Sequence, residues 1–548
     1  MAFARLVCGL MLTLLLVSVL EFQPAGAEPK TWTVDDDGSA DFRTIQEAVN
    51  AASMGDSVYV YTGVYRENVV VNKTAILNGQ DRSATVIDGG DGFAAVQVDA
   101  DHVEIGSFTI RNGSYGVLVE VGSRSTIRSN VVTACDYGVV VKTSGNVVSD
   151  NIVLNNSQSG ILVIRSMNSV LANNLVTGNG MYGIFITESS GNVLRNNSMA
   201  GNAYDFGVYG EDYGPLSYYV QDVDPSNFVN GKPIYYLVDQ RNMVVPSDAG
   251  FVALVDSENI TVKNLSLTGN EYGTLMAYSN NSLVTGNSFS YNSYGLYLIH
   301  SSRNRIDDNV VSDNVCGIFN DKYSSGNNIT ENTIVRNSGY GILFHGPGDE
   351  RNRIVNNLIA NSTLGIHFGG YSHYNKISQN IIRYCHTGVS IDWSQYVTIS
   401  ENNITANKQG LVFFMLTGPN LVFHNNFVGN DWQASTETLE LWDNGYPSGG
   451  NYWSDYSGVD SNHDGIGDTP YVINAQNRDN YPLIRLWGPH ARMDVNGDGS
   501  INVLDLIVIA QALGAHPGDP KWNPRADAKE DNVVNVLDLI LVAKYLGT

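Results

Sequence analysis

Asn287-Ser-Phe-Ser-Tyr-Asn-Ser-Tyr-Gly295-Leu-Tyr-Leu-Ile-His-Ser-Ser-Arg-Asn-Arg-Ile-Asp-Asp-Asn309-Val-Val-Ser-Asp-Asn-Val-Cys-Gly317-Ile-Phe decides the architecture. It holds one full unit and the start of the next: Asn and two strand residues, a polar turn, then Gly-apolar-x-apolar and a second polar turn. Working outward, the glycine recurs at Gly92, Gly116, Gly138, Gly160, Gly183 and Gly207, then at Gly250, Gly273, Gly295, Gly317, Gly341, Gly365, Gly388 and Gly410. The gaps are 22–24 residues, except for 43 between Gly207 and Gly250. An asparagine column keeps step: Asn130, Asn151, Asn174 and Asn197, then Asn287, Asn309, Asn332, Asn357, Asn380, Asn403 and Asn426. A fixed period of this size means stacked units. The apolar runs are too short for helices and rich in Val, Ile, Phe and Tyr, which favours strands. Alternation sends the first and third residues after each Gly inward. Asparagine tolerates left-handed corners, and its amide can bond to the Asn of the next turn. The expected fold is all-β, a parallel β-helix, with residues 91–448 forming the rungs and an insertion at about 208–249.

The chain has 548 residues and a formal charge of −24, which argues against nucleic acid or anionic membrane as partners. Residues 1–27 read as a secretory signal: Arg5, an apolar run from Leu6 to Leu20, and a small-residue cleavage site at Ala25–Ala27. A retained anchor is the other reading of that segment, and no later stretch is apolar enough to span a bilayer. The expected location is therefore secreted, extracellular or at the cell surface. Cys135, Cys316 and Cys385 are expected to be buried free thiols. Residues 28–90 form an N-terminal cap and first strands, with Thr44-Ile-Gln-Glu47 starting a short capping helix.

Residues 449–485 change character, with Gly450-Asn-Tyr-Trp-Ser-Asp455 and an acidic loop from Asp460 to Asp468. These two segments, with the Asn-Gly rungs before them, resemble the NosD-type family of secreted β-helix proteins, which is in turn similar to carbohydrate-binding and sugar-hydrolase β-helix domains. The resemblance covers roughly residues 30–484 and implies a right-handed coil, a hand that the repeat alone leaves open. Named members assist copper-site assembly, yet no Met or His cluster with copper-ligand spacing is present. Gly63-Val-Tyr65-Arg-Glu67 is similar to a short pectin methylesterase motif, without that family's catalytic segments downstream.

Residues 486–548 form a separate module. Ile501–Gly514 recurs as Val534–Gly547, with nine of fourteen positions identical and helical periodicity in both. Before the first copy, Asp494, Asn496, Asp498, Ser500, Asn502 and Asp505 place oxygen donors at the spacing that wraps Ca²⁺. The second loop offers Asp527, Asp531, Asn535 and Asp538, with Lys529 where another oxygen is expected. This duplicated half EF-hand with Asp at its last position resembles a type I dockerin, a small all-α calcium-binding module whose partner is a cohesin. Asp460, Asn462, Asp464 and Asp468 repeat the acidic rhythm, as a third calcium loop or a plain acidic turn.

On the coil, outward positions change from Leu118, Val140, Leu162 and Phe185 in early rungs to aromatic, His and Asp residues later. Tyr297, Phe319, His367 and Trp393 are the carbohydrate-binding candidates. Asp321, His345, His367 and Asp392 are the catalytic candidates, Asp321 and His345 lying on neighbouring rungs. Asp321 and Asp392 stand roughly 14 Å apart at the strand spacing, wider than a glycosidase pair. The leading expectation is a secreted or cell-surface protein that binds polysaccharide and attaches through its dockerin-like module. A tethered polysaccharide lyase or glycoside hydrolase is the alternative, and a structural surface-layer component the third.

Overall fold

The computed structural model describes residues 28–210, 214–415, 417–462, 464–488, 493–496, 501–529 and 531–546. Residues 1–27, where a secretory signal is expected, Asp498 and Ser500 lie outside them. The chain folds as a parallel β-helix followed by a small helical module. Helix Ile45–Ala51 buries Ile45, Ala48 and Val49 at the start of the coil. Thr44 caps it, and the Glu67 carboxylate accepts from the backbone N–H groups of Ile45 and Gln46 at 2.8 and 2.9 Å.

The rungs stack in register, and interior residues such as Leu296, Ile318, Ile342, Ile366 and Val389 are fully buried. The coil is interrupted once. Thr31–Val34 through Asp222–Val223 form one continuous ladder. Phe228–Val229 still pairs in parallel with Ser198–Ala200, then pairs antiparallel with Lys232–Val238, which begins a second run of parallel strands ending at Trp432–Thr436. The expected insertion is thus largely a rung that continues two ladders and then turns through a hairpin. The second coil lays the outer side of its first long strands against the end of the first. Phe251, Ala253, Val255, Leu275 and Ala277 share one buried cluster with Phe206 and Val208. Backbone bonds Asp205 N–H to Gly269 O, 2.7 Å, and Glu271 N–H to Phe206 O, 3.1 Å, cross the junction. Gly207 is required there, because a Cβ would come within 2.7 Å of the Glu271 Cβ.

Asparagine ladders run inside the corners. In the second coil, each Asn donates its N–H and side-chain amide to the next Asn Oδ1, from Asn287 through Asn309, Asn332, Asn357, Asn380, Asn402 and Asn425 to Asn451. Two corrections follow. The column passes through Asn402 and Asn425, not Asn403 and Asn426. The left-handed corner residue is the one before each ladder Asn: Asp308, Glu331, Asn356, Gln379, Glu401 and His424 have φ of 54° to 62°. The ladder Asn is selected by its hydrogen bonds rather than its backbone.

A ladder needs an acceptor at its last step and nothing beyond it, so carboxylates stand there. Asp205 accepts from Asn202, Glu440 from Asn420 and Asp479 from Asn451, whereas Asp349, which accepts from Ser324, stands in mid-column with Ser372 and Ser394 on the rungs after it. Asp479 also accepts from the Trp453 indole N–H at 2.9 Å, and Trp453 stacks between Phe427 and Tyr471. The Asn-Tyr-Trp-Ser-Asp segment is therefore the plug of the second coil. Cys135, Cys316 and Cys385 are free and buried, as expected, and Cys135 and Cys385 each donate a backbone N–H to a ladder Asn in the same slot.

Candidate glycan groove and calcium loops

On the second coil, two columns of side chains point away from the core of the long sheet. Strand register sets one as Leu275, Tyr297, Phe319, Leu343, His367 and Ser390, and the other as Ile299, Asp321, His345, Gly369 and Asp392. The first two rungs of this face are not accessible. The turn Leu216–Tyr219, which lies between the last long strand of the first coil and its final short strands, packs with Tyr297 in one buried cluster. Tyr278 reaches back to it, donating its hydroxyl to Gly214 O at 3.2 Å. Tyr297 is only 2% exposed and donates its hydroxyl to Asp321 Oδ2 at 2.9 Å. This corrects Tyr297 as a sugar-stacking residue: a segment nearly eighty positions earlier covers it.

Asp321 is corrected likewise as an acid–base candidate. Its carboxylate is 3% exposed, takes the Tyr297 hydroxyl and the Lys322 backbone N–H, and lies 3.9 Å from the Lys322 ammonium. His345, its register partner, is exposed. Phe319 is half-buried between Tyr294 and Tyr297.

Farther along, the face opens. Gly369 occupies the slot between His345 and Asp392, and a Cβ there would meet His367 Nε2 at 3.1 Å and His345 Cδ2 at 3.6 Å. The missing side chain leaves a notch. His367 Nε2 lies 3.9 Å from Asp392 Oδ2 across it. Burial depresses the His367 pKa to about 4, with the charge of His345 adding to the effect, and raises that of Asp392 to about 6. So three of the four catalytic candidates, His345, His367 and Asp392, come together, and Asp321 does not join them.

Trp393 apart, the sequence reading missed the wall of this notch. Tyr323, Tyr371, Trp393 and Met415 are left-handed corner residues, with φ of 57°, 70°, 52° and 55°. In that conformation the side chain leaves the coil, so an aromatic there is presented to solvent. Tyr371 is 53% exposed, and its ring centroid is 5.9 Å from that of Trp393. The signal was available as a column five or six residues after each glycine: Tyr278, His300, Tyr323, Tyr371, Trp393. Its upper members, Tyr278, His300 and Tyr323, stack at 4.4 and 5.2 Å.

In the C-terminal module, helices Val503–Gln511 and Val536–Ala543 each start with a reciprocal cap, Asn502 with Asp505 and Asn535 with Asp538. Asp505 also accepts from the Asn496 N–H, and Asp538 from the Lys529 N–H, both at 2.9 Å, so the last loop position folds back on the third. Asp527 accepts the N–H groups of Asp531 and Asn532, and Lys529 Nζ lies 3.4 Å from Asp531 Oδ2. The Asp460 loop repeats the arrangement: Asp460 accepts from Asp464 and Gly465, and Asp468 from Ser461. Apart from Lys529 in the second loop, the side chains at the expected ligand positions of these loops carry oxygen donors, the ligand type of a hard cation. Among the described residues no group of three or more His, Cys, Asp or Glu side chains is arranged to hold a metal ion. Val503 is 63% exposed, and Leu504, Val536 and Leu537 are also exposed at the corresponding starts of the helices.

A family model described as "Periplasmic copper-binding protein (NosD)" matches residues 49–215, 226–382 and 368–458. The dockerin type I model matches residues 492–547. The curated "Probable ABC transporter binding protein NosD" of Stutzerimonas stutzeri is 32% identical over 125 residues, 23% of this chain and 28% of that protein. The chain thus matches under a third of that relative's length. Among solved structures, the mannuronan C-5 epimerase AlgE4 A-module of Azotobacter vinelandii is 16% identical over 72% of this chain and 93% of its own, with TM-score 0.28. The periplasmic alginate epimerase AlgG, as a double mutant, is 13% identical over 69% of this chain and 77% of its own, with TM-score 0.31. Superpositions this loose say nothing about activity. No helix among the described residues is long and apolar enough to cross a membrane.

Proposed function

The chain belongs to the NosD family and carries a type I dockerin domain at its C-terminus, and on that premise we propose that it is a secreted or cell-surface protein that binds polysaccharide along the second coil and attaches to a cohesin-type partner through a calcium-dependent dockerin. The carrying observation is the row of left-handed corner aromatics, Tyr323, Tyr371 and Trp393, beside the His345–His367–Asp392 notch. Aromatic faces stack on the apolar faces of sugar rings, and a few polar groups at their foot fix orientation. Phe319 extends the floor toward the covered end of the face. The corner spacing follows the strand spacing, so the groove runs along the coil axis and suits an extended chain. Asp494, Asn496, Asp498, Ser500, Asn502 and Asp505 would hold calcium in the first dockerin loop, and Asp527, Asp531, Asn535 and Asp538 in the second. Asp460, Asn462, Asp464 and Asp468 are a third candidate loop. The exposed Val503, Leu504, Val536 and Leu537 are the surface offered to the partner.

In affinity electrophoresis, Tyr371→Ala with Trp393→Ala is expected to abolish retardation by a retained glycan while leaving the melting temperature within a degree or two. Exposed side chains contribute little to stacking of the coil. Tyr297→Phe is expected to do the reverse. It costs about 1–3 kcal/mol, because the buried Asp321 carboxylate loses a donor, and binding is unchanged. Undiminished retardation of the aromatic double variant would remove the groove from the proposal.

A further inference from the structure

Within that groove, His367 and Asp392 are set apart by their unsatisfied atoms. His367 Nδ1 and Asp392 Oδ1 are buried and have no hydrogen-bond partner among the described residues. His367 Nε2 borders the gap left by Gly369, 3.1 Å from where a Cβ would stand, and lies 3.9 Å from Asp392 Oδ2. Buried polar atoms in native proteins nearly always have partners, and exceptions at a concave surface point to a ligand that supplies them. His345 and Asp392 are two rung steps apart in one column, roughly 10 Å at the strand spacing, with Gly369 in the slot between them and the His367 imidazole beside it. Tyr371 and Trp393 stand at the corner alongside.

We propose that Asp392, His367 and Trp393 form a subsite for one pyranose ring of a neutral glycan, the carboxylate accepting from two neighbouring hydroxyls and the ring lying on the indole. The inference rests on the groove reading above and adds the class of sugar. A carboxylate accepts up to four hydrogen bonds and a neutral imidazole offers one donor and one acceptor, which matches a vicinal diol. Charge excludes the alternative. A polyuronate would bring a carboxylate at every residue toward Asp392 on a chain that carries −24. His367 is held uncharged by burial and supplies no counter-charge. The groups around Asp392 are His367 and His345 on the preceding rungs, Trp393 at the corner, and the uncharged Phe414 in register on the following rung.

The test uses the full-length protein in calcium-containing buffer, electrophoresed through gels holding a neutral β-glucan, xylan or galactomannan, or polygalacturonate or polymannuronate. The native protein is expected to be retarded by at least one neutral glycan and by neither polyuronate. Retardation should strengthen from pH 5 to pH 7 as Asp392 ionises. Asp392→Asn, nearly isosteric, should weaken the retained glycan about tenfold or more, the order expected for hydrogen bonds to a charged acceptor, and should flatten the pH dependence. Stronger retardation by a polyuronate, or native retardation of Asp392→Asn at both pH values, overturns the subsite while leaving the groove intact. If Asp392→Asn behaves as expected but Tyr371→Ala with Trp393→Ala still binds fully, the aromatic wall is overturned. No retardation by any of the five overturns both readings.

Discussion

In the presence of a calcium chelator, helices Val503–Gln511 and Val536–Ala543 lose their amide protection in hydrogen exchange, while the coils keep theirs. The module has little else to hold it. Among the described residues its core is nine buried side chains, Met493, Val495, Ile501, Ile509, Ala512, Ala526, Ala528, Val534 and Val542. The helices are nine and eight residues long, too short to stand alone. Among the described residues four carboxylates are buried, Asp494 and Asp505 in the first loop and Asp527 and Asp538 in the second. Without a cation their mutual repulsion and lost hydration oppose folding, so binding energy and folding energy are the same quantity here. The first loop should dominate, because Lys529 brings an ammonium to the third position of the second. Lys529→Asp should therefore tighten the weaker of two calorimetric calcium sites by on the order of tenfold, since ligand charge sets affinity in such loops. Protection that survives chelation would sink the calcium assignment. Equal affinity at both loops before the substitution would sink the ranking.

How far the molecule was legible depends on the range over which each feature is determined. The coil was readable because its determinant is local: glycine, alternation and period recur within every rung, and any one rung predicts the next. The dockerin module was readable for the same reason, since its loop-and-helix pattern repeats within short consecutive stretches. The junction was not. Asp222–Val223 and Phe228–Val229 are two-residue strands with no pattern of their own. Their placement comes from the ladders they extend, and the 43-residue break in the period marks the place without saying that the chain turns antiparallel at Lys232. Tyr297 looked outward because alternation puts it outward, and nothing nearby says that the Leu216–Tyr219 turn lies over it. Trp487 is a milder case. Counted with the C-terminal module by composition, it stacks on His424 with ring centroids 3.4 Å apart and exchanges two hydrogen bonds with Asn426, tying the linker to the coil.

The asparagine column offers the sharpest test of register, because five of its rungs carry Asn-Asn, Asn402-Asn403 among them, and a sequence cannot say which member is inside. Asn402→Ala is expected to cost about 4–6 kcal/mol and Asn403→Ala less than about 1, though they are neighbours in the chain. Asn402 is fully buried. Its amide donates to Ile377 O, Ser400 O and Asn425 Oδ1, and its Oδ1 accepts both the N–H and the amide of Asn380. Alanine leaves that buried N–H and two carbonyls short of a partner, each at about 1–3 kcal/mol before relaxation. It also cuts the ladder in mid-run, where neither neighbouring rung can substitute. Asn403 lies on the strand, half-exposed, and accepts one bond, from Asn426 Nδ2. Trp442 and Trp453, both buried at the closed end of the second coil, report its unfolding by fluorescence in guanidinium. Asn402→Ala should move that transition to clearly lower denaturant, and Asn403→Ala should overlay the native curve. The reverse order would restore Asn403 to the column and would mean that Glu401, with φ of 62°, is not the residue that turns the corner. Because a solenoid's stability is a sum of rung and nearest-neighbour terms, the loss should be largest in amides of the rungs around Asn380 to Asn425 and fade toward the first coil.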